Sequence, residues 1–320
     1  MRTGLTYDDV LLVPKHGVLN KRIDADISSE LVNGLKLEVP IVSANMPSVT
    51  GPKMARYIYA AGGYGILHRF NSIEDNLTNF LETYPLQAAG CSIGLNDIDR
   101  LHTLIGAGCK IFCLDVAHAD HINVVKFVKE IKKDYKDYIK LIVGNVATYE
   151  GAKQFVQLGV EAIKVGIGPG AACRTREVTG FGVPQLTAII EVNRALQEFW
   201  PKTKLIADGG IRNSGDIVKA LAAGADTVMI GSLLAGCDEA PNPGEYYGNA
   251  SEHVNSHRAP EGSYGTVKKT GPVEDVIKEL AWGIRSGVSY GGATNLKELR
   301  ENAEFILCTA AGQIESSVRI

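Results

Sequence analysis

Reactive chemistry concentrates in one stretch of this chain, Gly166-Ile167-Gly168-Pro169-Gly170-Ala171-Ala172-Cys173-Arg174-Thr175-Arg176. Three glycines within five residues, with Pro169 between two of them, cannot continue the apolar run Ala162-Ile163-Lys164-Val165 just before them. They force a tight loop whose carbonyl and N–H groups come close to a ligand or ion. The loop then delivers one thiol, with arginines on both sides of Thr175. A thiol beside guanidinium groups is stabilised as the thiolate, its nucleophilic form. The competing reading is a glycine-rich turn carrying a small inert hydrophobe, and Cys173 alone does not choose between them.

Two later stretches suit an anion. Asp208-Gly209-Gly210-Ile211 and Gly231-Ser232-Leu233-Leu234 let backbone N–H groups face a phosphate. The Asp208 carboxylate cannot favour phosphate and suits sugar hydroxyls instead. Further on, a polar, glycine-rich segment at about residues 245–270 is too long for a plain connection and reads as a mobile flap. It carries Arg258-Ala259-Pro260-Glu261-Gly262. A flap carboxyl group can act as general acid or base once closure removes water, whereas a solvated surface glutamate is the plainer alternative.

Something must bring these stretches together. Eight short apolar runs end in Gly, Asn, Asp, His or Ser, each followed by a helical pattern. They are Pro40–Asn45, Gly65–His68, Ala88–Gly94, Ile111–Asp115, Leu141–Asn145, Ile163–Gly166, Leu205–Gly210 and Val228–Ser232. Between them, Asn123–Ile131 places apolar residues at helical spacing, and Ser214–Gly224 opens on a cap residue and closes on glycine. The first 35 residues read as an irregular, partly polar lead-in. Eight strand–helix units predict a closed (β/α)8 TIM barrel of the α/β class, a single domain over residues 1–320. In that architecture the carboxyl ends of the strands share one mouth. Asn45, His68, Asp115, Asn145, Cys173, Asp208 and Ser232 are therefore expected to converge there, with the two glycine turns at the usual phosphate position.

Bulk properties narrow the class. The chain has 320 residues, 45% hydrophobic and 22% charged, with a formal charge of −3. That offers ample core and no basic surplus for nucleic acid or an acidic membrane. No run approaches the length of a membrane span, and the first residues lack a signal-like apolar segment. Six scattered cysteines without a C-x-x-C pair argue against zinc or a disulfide framework. A cytoplasmic protein with reduced thiols is expected.

Taken together, the motifs resemble the IMP dehydrogenase and GMP reductase family. They are Leu5-Thr6-Tyr7-Asp8-Asp9-Val10, the first strand running into Asn45-Met46, the Cys173 loop, Ala207-Asp208-Gly209-Gly210 and Gly231-Ser232. The resemblance covers essentially the whole chain. It implies a barrel, usually tetrameric, that acts on purine nucleoside 5′-monophosphates in purine metabolism and nucleotide salvage. Cys173 would attack purine C2 and nicotinamide would exchange hydride with that carbon, with Thr175 and Glu261 as the proton-relaying pair. The resemblance also assigns Ser43, Met46, Asp208, Gly210, Gly231, Ser232, Tyr246, Gly248 and Arg258 to the nucleotide. Arg69, Asp115, Ala117, His118, Asn145 and Gly166 fall to the cofactor. A K⁺ site would use Gly166, Gly168 and Cys173, with Glu315 of the Glu315-Ser316-Ser317 tail supplied by a neighbouring subunit.

Within the family, dehydrogenases usually carry two CBS modules early in the barrel, and the spacing here leaves no room for them. Their longer flap bears a water-activating Arg-Tyr pair, which the short segment from Gly248 to Glu261 lacks. Asn45-Met46, Leu67-His68-Arg69-Phe70 and Tyr247-Gly248-Asn249-Ala250-Ser251-Glu252 resemble the short bacterial reductases. Pro260–Val267 and Gly182-Val183-Pro184-Gln185 read more like a dehydrogenase. The resemblance therefore implies a GMP reductase, converting GMP and NADPH to IMP, ammonia and NADP. A CBS-less IMP dehydrogenase using NAD and a silent purine-nucleotide-binding barrel are the alternatives. Ala171-Ala172, where the family commonly has a phosphate-binding Ser, and Arg174, where it has a small or uncharged residue, depart from the pattern. Arg174 has two candidate roles, lowering the Cys173 pKa or contacting phosphate. Arg69, where other reductases can have Lys, is a further departure.

Overall fold

The computed structural model describes residues 1–84, 86–136, 138–254 and 259–316. Eight parallel strands close into a ring in chain order: Ile41–Ser43, Tyr64–Leu67, Ala89–Ile93, Ile111–Asp115, Lys140–Val146, Ala162–Val165, Lys204–Asp208 and Thr227–Ile230. The eighth strand pairs back onto the first, with Val228 opposite Ile41. Each lies where an apolar run predicted it. A parallel strand in a barrel is covered on one face by interior side chains and on the other by helices, so both faces are apolar. Accordingly every residue of the first, second, third, sixth and eighth strands is buried.

The helices lie outside the ring, and several start on side-chain caps. Ser72, Thr148 and Asn213 each accept a backbone N–H from the first turn of their helix. The last of these corrects the sequence reading: helix Ser214–Ala222 is capped by Asn213, and Ser214 is already inside it. The predicted helix over 123–131 extends from Ile122 to Tyr135.

The lead-in is more ordered than its composition suggests. Val10–Leu12 pairs antiparallel with Phe305–Leu307. Ser29–Val32 and Leu35–Leu37 form a hairpin packed on the seventh and eighth strands. Lys204, the first residue of the seventh strand, holds Glu30 at 2.8 Å, so the hairpin closes the amino end of the barrel. The Thr6–Asp9 motif works at the opposite end. Asp8 accepts from Arg212 at 3.0 Å, and Lys219 donates to the Tyr7 carbonyl at 2.8 Å, which ties the motif to the loop after the seventh strand.

The segment after the eighth strand is anchored as a ribbon. Glu245–Tyr247 pairs antiparallel with Tyr264–Thr266, braced by the rings of Tyr247, His253 and Tyr264 with centroids 4.9 to 6.1 Å apart. Among the described residues no helix is long and apolar enough to cross a membrane.

The cysteine loop leaves the sixth strand at Gly166, where φ is +148° and an added Cβ would lie 2.1 Å from the Asp208 carbonyl oxygen. Backbone, unlike a side-chain tip, cannot move aside cheaply. Gly166→Ala should therefore lower the unfolding free energy by roughly 3 kcal/mol or more, read as a drop in the denaturant midpoint. An unchanged midpoint would contradict the packing of this loop on the seventh strand.

Candidate active site

A cleft of about 460 Å³ opens at the carboxyl ends of the strands. Five of the seven strand-end residues expected there line it: Asp115, Asn145, Cys173, Asp208 and Ser232. Asn45 and His68 do not. Asn45 is buried, and its carbonyl accepts from Asn249. His68 Nδ1 accepts the Phe70 N–H at 3.2 Å. Burial and the nearby Arg100 charge push its pKa down to about 4, so it serves the turn as a neutral ring.

Cys173 is exposed, whereas Cys91, Cys109, Cys113 and Cys237 are buried. Its Sγ lies 3.3 Å from Thr175 Oγ1, and the Thr175 hydroxyl donates to Glu261 Oε2 at 2.7 Å. Thiol, hydroxyl and carboxylate thus form a continuous proton path. Glu261 arrives from the segment after the eighth strand because the backbone is stitched across. The Arg174 N–H donates to the Glu261 carbonyl at 2.6 Å, Ser263 N–H to the Ala172 carbonyl at 2.9 Å, and Gly248 N–H to the Ser263 carbonyl at 3.0 Å. The flanking arginines work elsewhere. The Arg174 Nε pairs with Glu177 at 3.1 Å on the surface, and Arg176 donates to the Val183 carbonyl at 2.8 Å. Arg174 thus contacts Glu177, and the groups on the thiol's proton path are Thr175 and Glu261.

The two late glycine turns meet in the same cleft. Gly209, Gly210, Gly231 and Ser232 line it together with Tyr246. A Cβ on Gly231 would stand 2.8 Å from the Tyr246 hydroxyl, so glycine lets the phenol close over the turn. Burial, with the charges of Asp208 and Cys173, raises the Tyr246 pKa well above the ordinary phenol range and keeps it a donor. Ala171 and Ala172 also line the cleft without a hydroxyl.

The cleft also holds a buried charge cluster that the sequence reading missed. Lys164, on the sixth strand and 3% exposed, holds Asp115 Oδ1 at 3.0 Å and Asp208 Oδ2 at 2.8 Å, and donates to Asn145 Oδ1. Asn145 Nδ2 also donates to Asp208 Oδ2 at 2.9 Å and to the Gly166 carbonyl at 2.7 Å. Burial opposes the Lys164 charge, but the two carboxylates outweigh it and hold the ammonium protonated. Burial likewise pushes Asp115 up, and the lysine reverses that, leaving its pKa below the ordinary carboxylate value. A lysine ending a strand next to a glycine loop, with aspartates ending the fourth and seventh strands, was the available signal.

The remaining assignments divide. Met46, Gly248, Arg69, Ala117, Gly166 and Gly168 line the cleft. Ser43 does not: it is fully buried, and its Oγ accepts the Thr50 hydroxyl at 2.9 Å, while its neighbour Ala44 reaches the cleft. Strand alternation turned the wrong residue inward. His118 is exposed and outside the lining. Glu315 is exposed at the end of helix Ala310–Glu315. Arg258 and Ser317 lie outside the described residues.

The family model "IMP dehydrogenase / GMP reductase domain" matches residues 4–319. The inosine-5′-monophosphate dehydrogenase of Cryptosporidium parvum is 34% identical, covering 98% of this chain and 94% of that protein. The enzyme of the same name from Methanocaldococcus jannaschii is 32% identical, with 98% and 95% covered. A crystal structure of a GMP reductase variant from Trypanosoma brucei in complex with guanosine 5′-monophosphate superposes with a TM-score of 0.91, 26% identity and coverage of 99% and 98%. The chain belongs to the IMP dehydrogenase/GMP reductase family of oxidoreductases.

Proposed function

We propose that this protein is a GMP reductase, catalysing the NADPH-dependent conversion of GMP to IMP and ammonia. The observation that carries the reading is the path from Cys173 through Thr175 to Glu261. As Sγ adds to purine C2, the thiol proton passes to Thr175 while the Thr175 proton passes to Glu261. The reverse movement protonates the exocyclic amine, which leaves as ammonia with its bonding pair. NADPH, when bound, supplies hydride to C2. Expulsion of the Cys173 thiolate then releases IMP.

The cleft offers groups suited to both ligands. Asp208 Oδ1 is available to the sugar hydroxyls, and Gly210, Gly231, Ser232 and Tyr246 to the phosphate. Arg69 lines the cofactor side with a buried Nε that has no partner among the described residues. Asp115, Ala117 and Asn145 complete that side. The missing water activator favours reduction over hydrolysis. The Arg-Tyr pair in this chain, Arg56-Tyr57, is exposed on helix Pro52–Ala60 of the outer wall. The dehydrogenase names of the relatives favour a second reading, IMP oxidation by a CBS-less enzyme with NAD. Absorbance at 340 nm separates the two. Loss of signal with GMP and NADPH, with ammonia released, is expected; gain with IMP and NAD, with XMP formed, would install the second reading.

Two variants probe the relay. Glu261→Gln and Thr175→Val should each lower kcat by about 10²–10⁴-fold with little change in nucleotide affinity. A loss confined to KM would instead assign these groups to binding.

For K⁺, no hydrogen bond among the described residues ends on the carbonyl of Gly168 or Cys173, which leaves both for an ion. With Gly166 and a neighbouring subunit's Glu315 they would form the cage, and the enzyme would work as a homotetramer. Replacing K⁺ by Li⁺ should then depress activity, and equal rates in the two salts would remove the ion from the account.

A further inference from the structure

Lys164 is placed where it contacts both sides of the cleft's chemistry while spending its whole donor capacity on protein. An ammonium has three N–H groups. Here they meet Asp115 Oδ1, Asp208 Oδ2 and Asn145 Oδ1. Nothing is left to donate to a substrate, and the two carboxylates keep the lysine from acting as an acid. Asp208 has both recorded partners, Lys164 and Asn145, on Oδ2, which aims Oδ1 at the cleft. Asp115 gives Oδ1 to Lys164 and turns Oδ2 toward Asn249 Nδ2, 3.4 Å away at the start of the segment that carries Glu261. One ammonium thus fixes the orientation of two carboxylates that line the cleft.

We propose that Lys164 is a positioning residue that couples the sugar subsite at Asp208 to the cofactor subsite at Asp115. A sugar hydroxyl donating to Asp208 Oδ1 orders that carboxylate. The ordered carboxylate fixes the shared ammonium, and the ammonium fixes Asp115. A cofactor that meets a pre-ordered Asp115 loses less freedom on binding and binds more tightly. The 2′-hydroxyl of the nucleotide therefore influences cofactor affinity without touching the cofactor. The inference rests on the nucleotide oxidoreductase reading of the cleft.

The test is NADPH affinity, followed by fluorescence, with the enzyme saturated by IMP or by 2′-deoxy-IMP, a pair that does not turn over with this cofactor. IMP should tighten NADPH binding by about fivefold or more relative to the deoxynucleotide. The difference should vanish in Lys164→Met and persist in Lys164→Arg, which keeps the charge. Should Lys164→Met fail to fold, the Lys164→Met/Asp115→Asn double variant removes one charge of each sign and carries the same comparison. Equal NADPH affinities with the two nucleotides in the native enzyme, or a difference that survives loss of the lysine, would overturn the proposal. Protection of Cys173 from alkylation by IMP is measured alongside. Protection without coupling sinks this inference alone, whereas absence of protection sinks the nucleotide reading beneath it.

Discussion

Closing eight parallel strands into a ring directs every carboxyl end to one mouth, and the side chains that meet there have little water to share. Asp115 and Asp208 arrive from the fourth and seventh strands, and two carboxylates in such a setting repel and lose hydration. Lys164, from the sixth strand between them in sequence, makes the arrangement tolerable. Its charge keeps Asp115 ionised despite burial, and the carboxylates keep the lysine charged despite the same burial. Lys164, with Arg69 beside Asp115, sets the electrostatics of the floor on which a nucleotide and a nicotinamide would have to meet.

The second organising feature is backbone. The cysteine loop and the segment after the eighth strand join through Arg174–Glu261, Ser263–Ala172 and Gly248–Ser263 hydrogen bonds. Glu261 reaches Thr175 only in this register. The proton path from Cys173 therefore exists only while the segment is in place, which links the shape of the segment to the chemistry of the thiol. Gly231 plays a comparable part under Tyr246, where a side chain would exclude the phenol hydroxyl.

Much of this was legible in the sequence. Barrel strands buried on both faces read as unbroken apolar runs, and all eight were found. Cys173, Thr175 and Glu261 were identified through the family resemblance, and the structure brings them together. What escaped is instructive. Lys164 was read only as part of the apolar run before the cysteine loop; the ring's closure is what brings it against two aspartates. Ser43 was assigned through the resemblance, whereas the pleat buries its side chain and brings Ala44 to the cleft. The arginines around Thr175 suggested thiol activation by proximity in sequence, yet their guanidinium groups found partners on the surface and on a backbone carbonyl. The lead-in looked irregular because its strands are three or four residues long and pair with distant segments.

Mass spectrometry of the peptide bearing Cys173, after rapid quenching of a reaction with GMP and NADPH, tests the central claim most directly. A purine nucleotide adduct on Cys173, present in the native enzyme and lost in Glu261→Gln, is the predicted result. An unmodified Cys173 during turnover, or an adduct on another cysteine, would contradict the account.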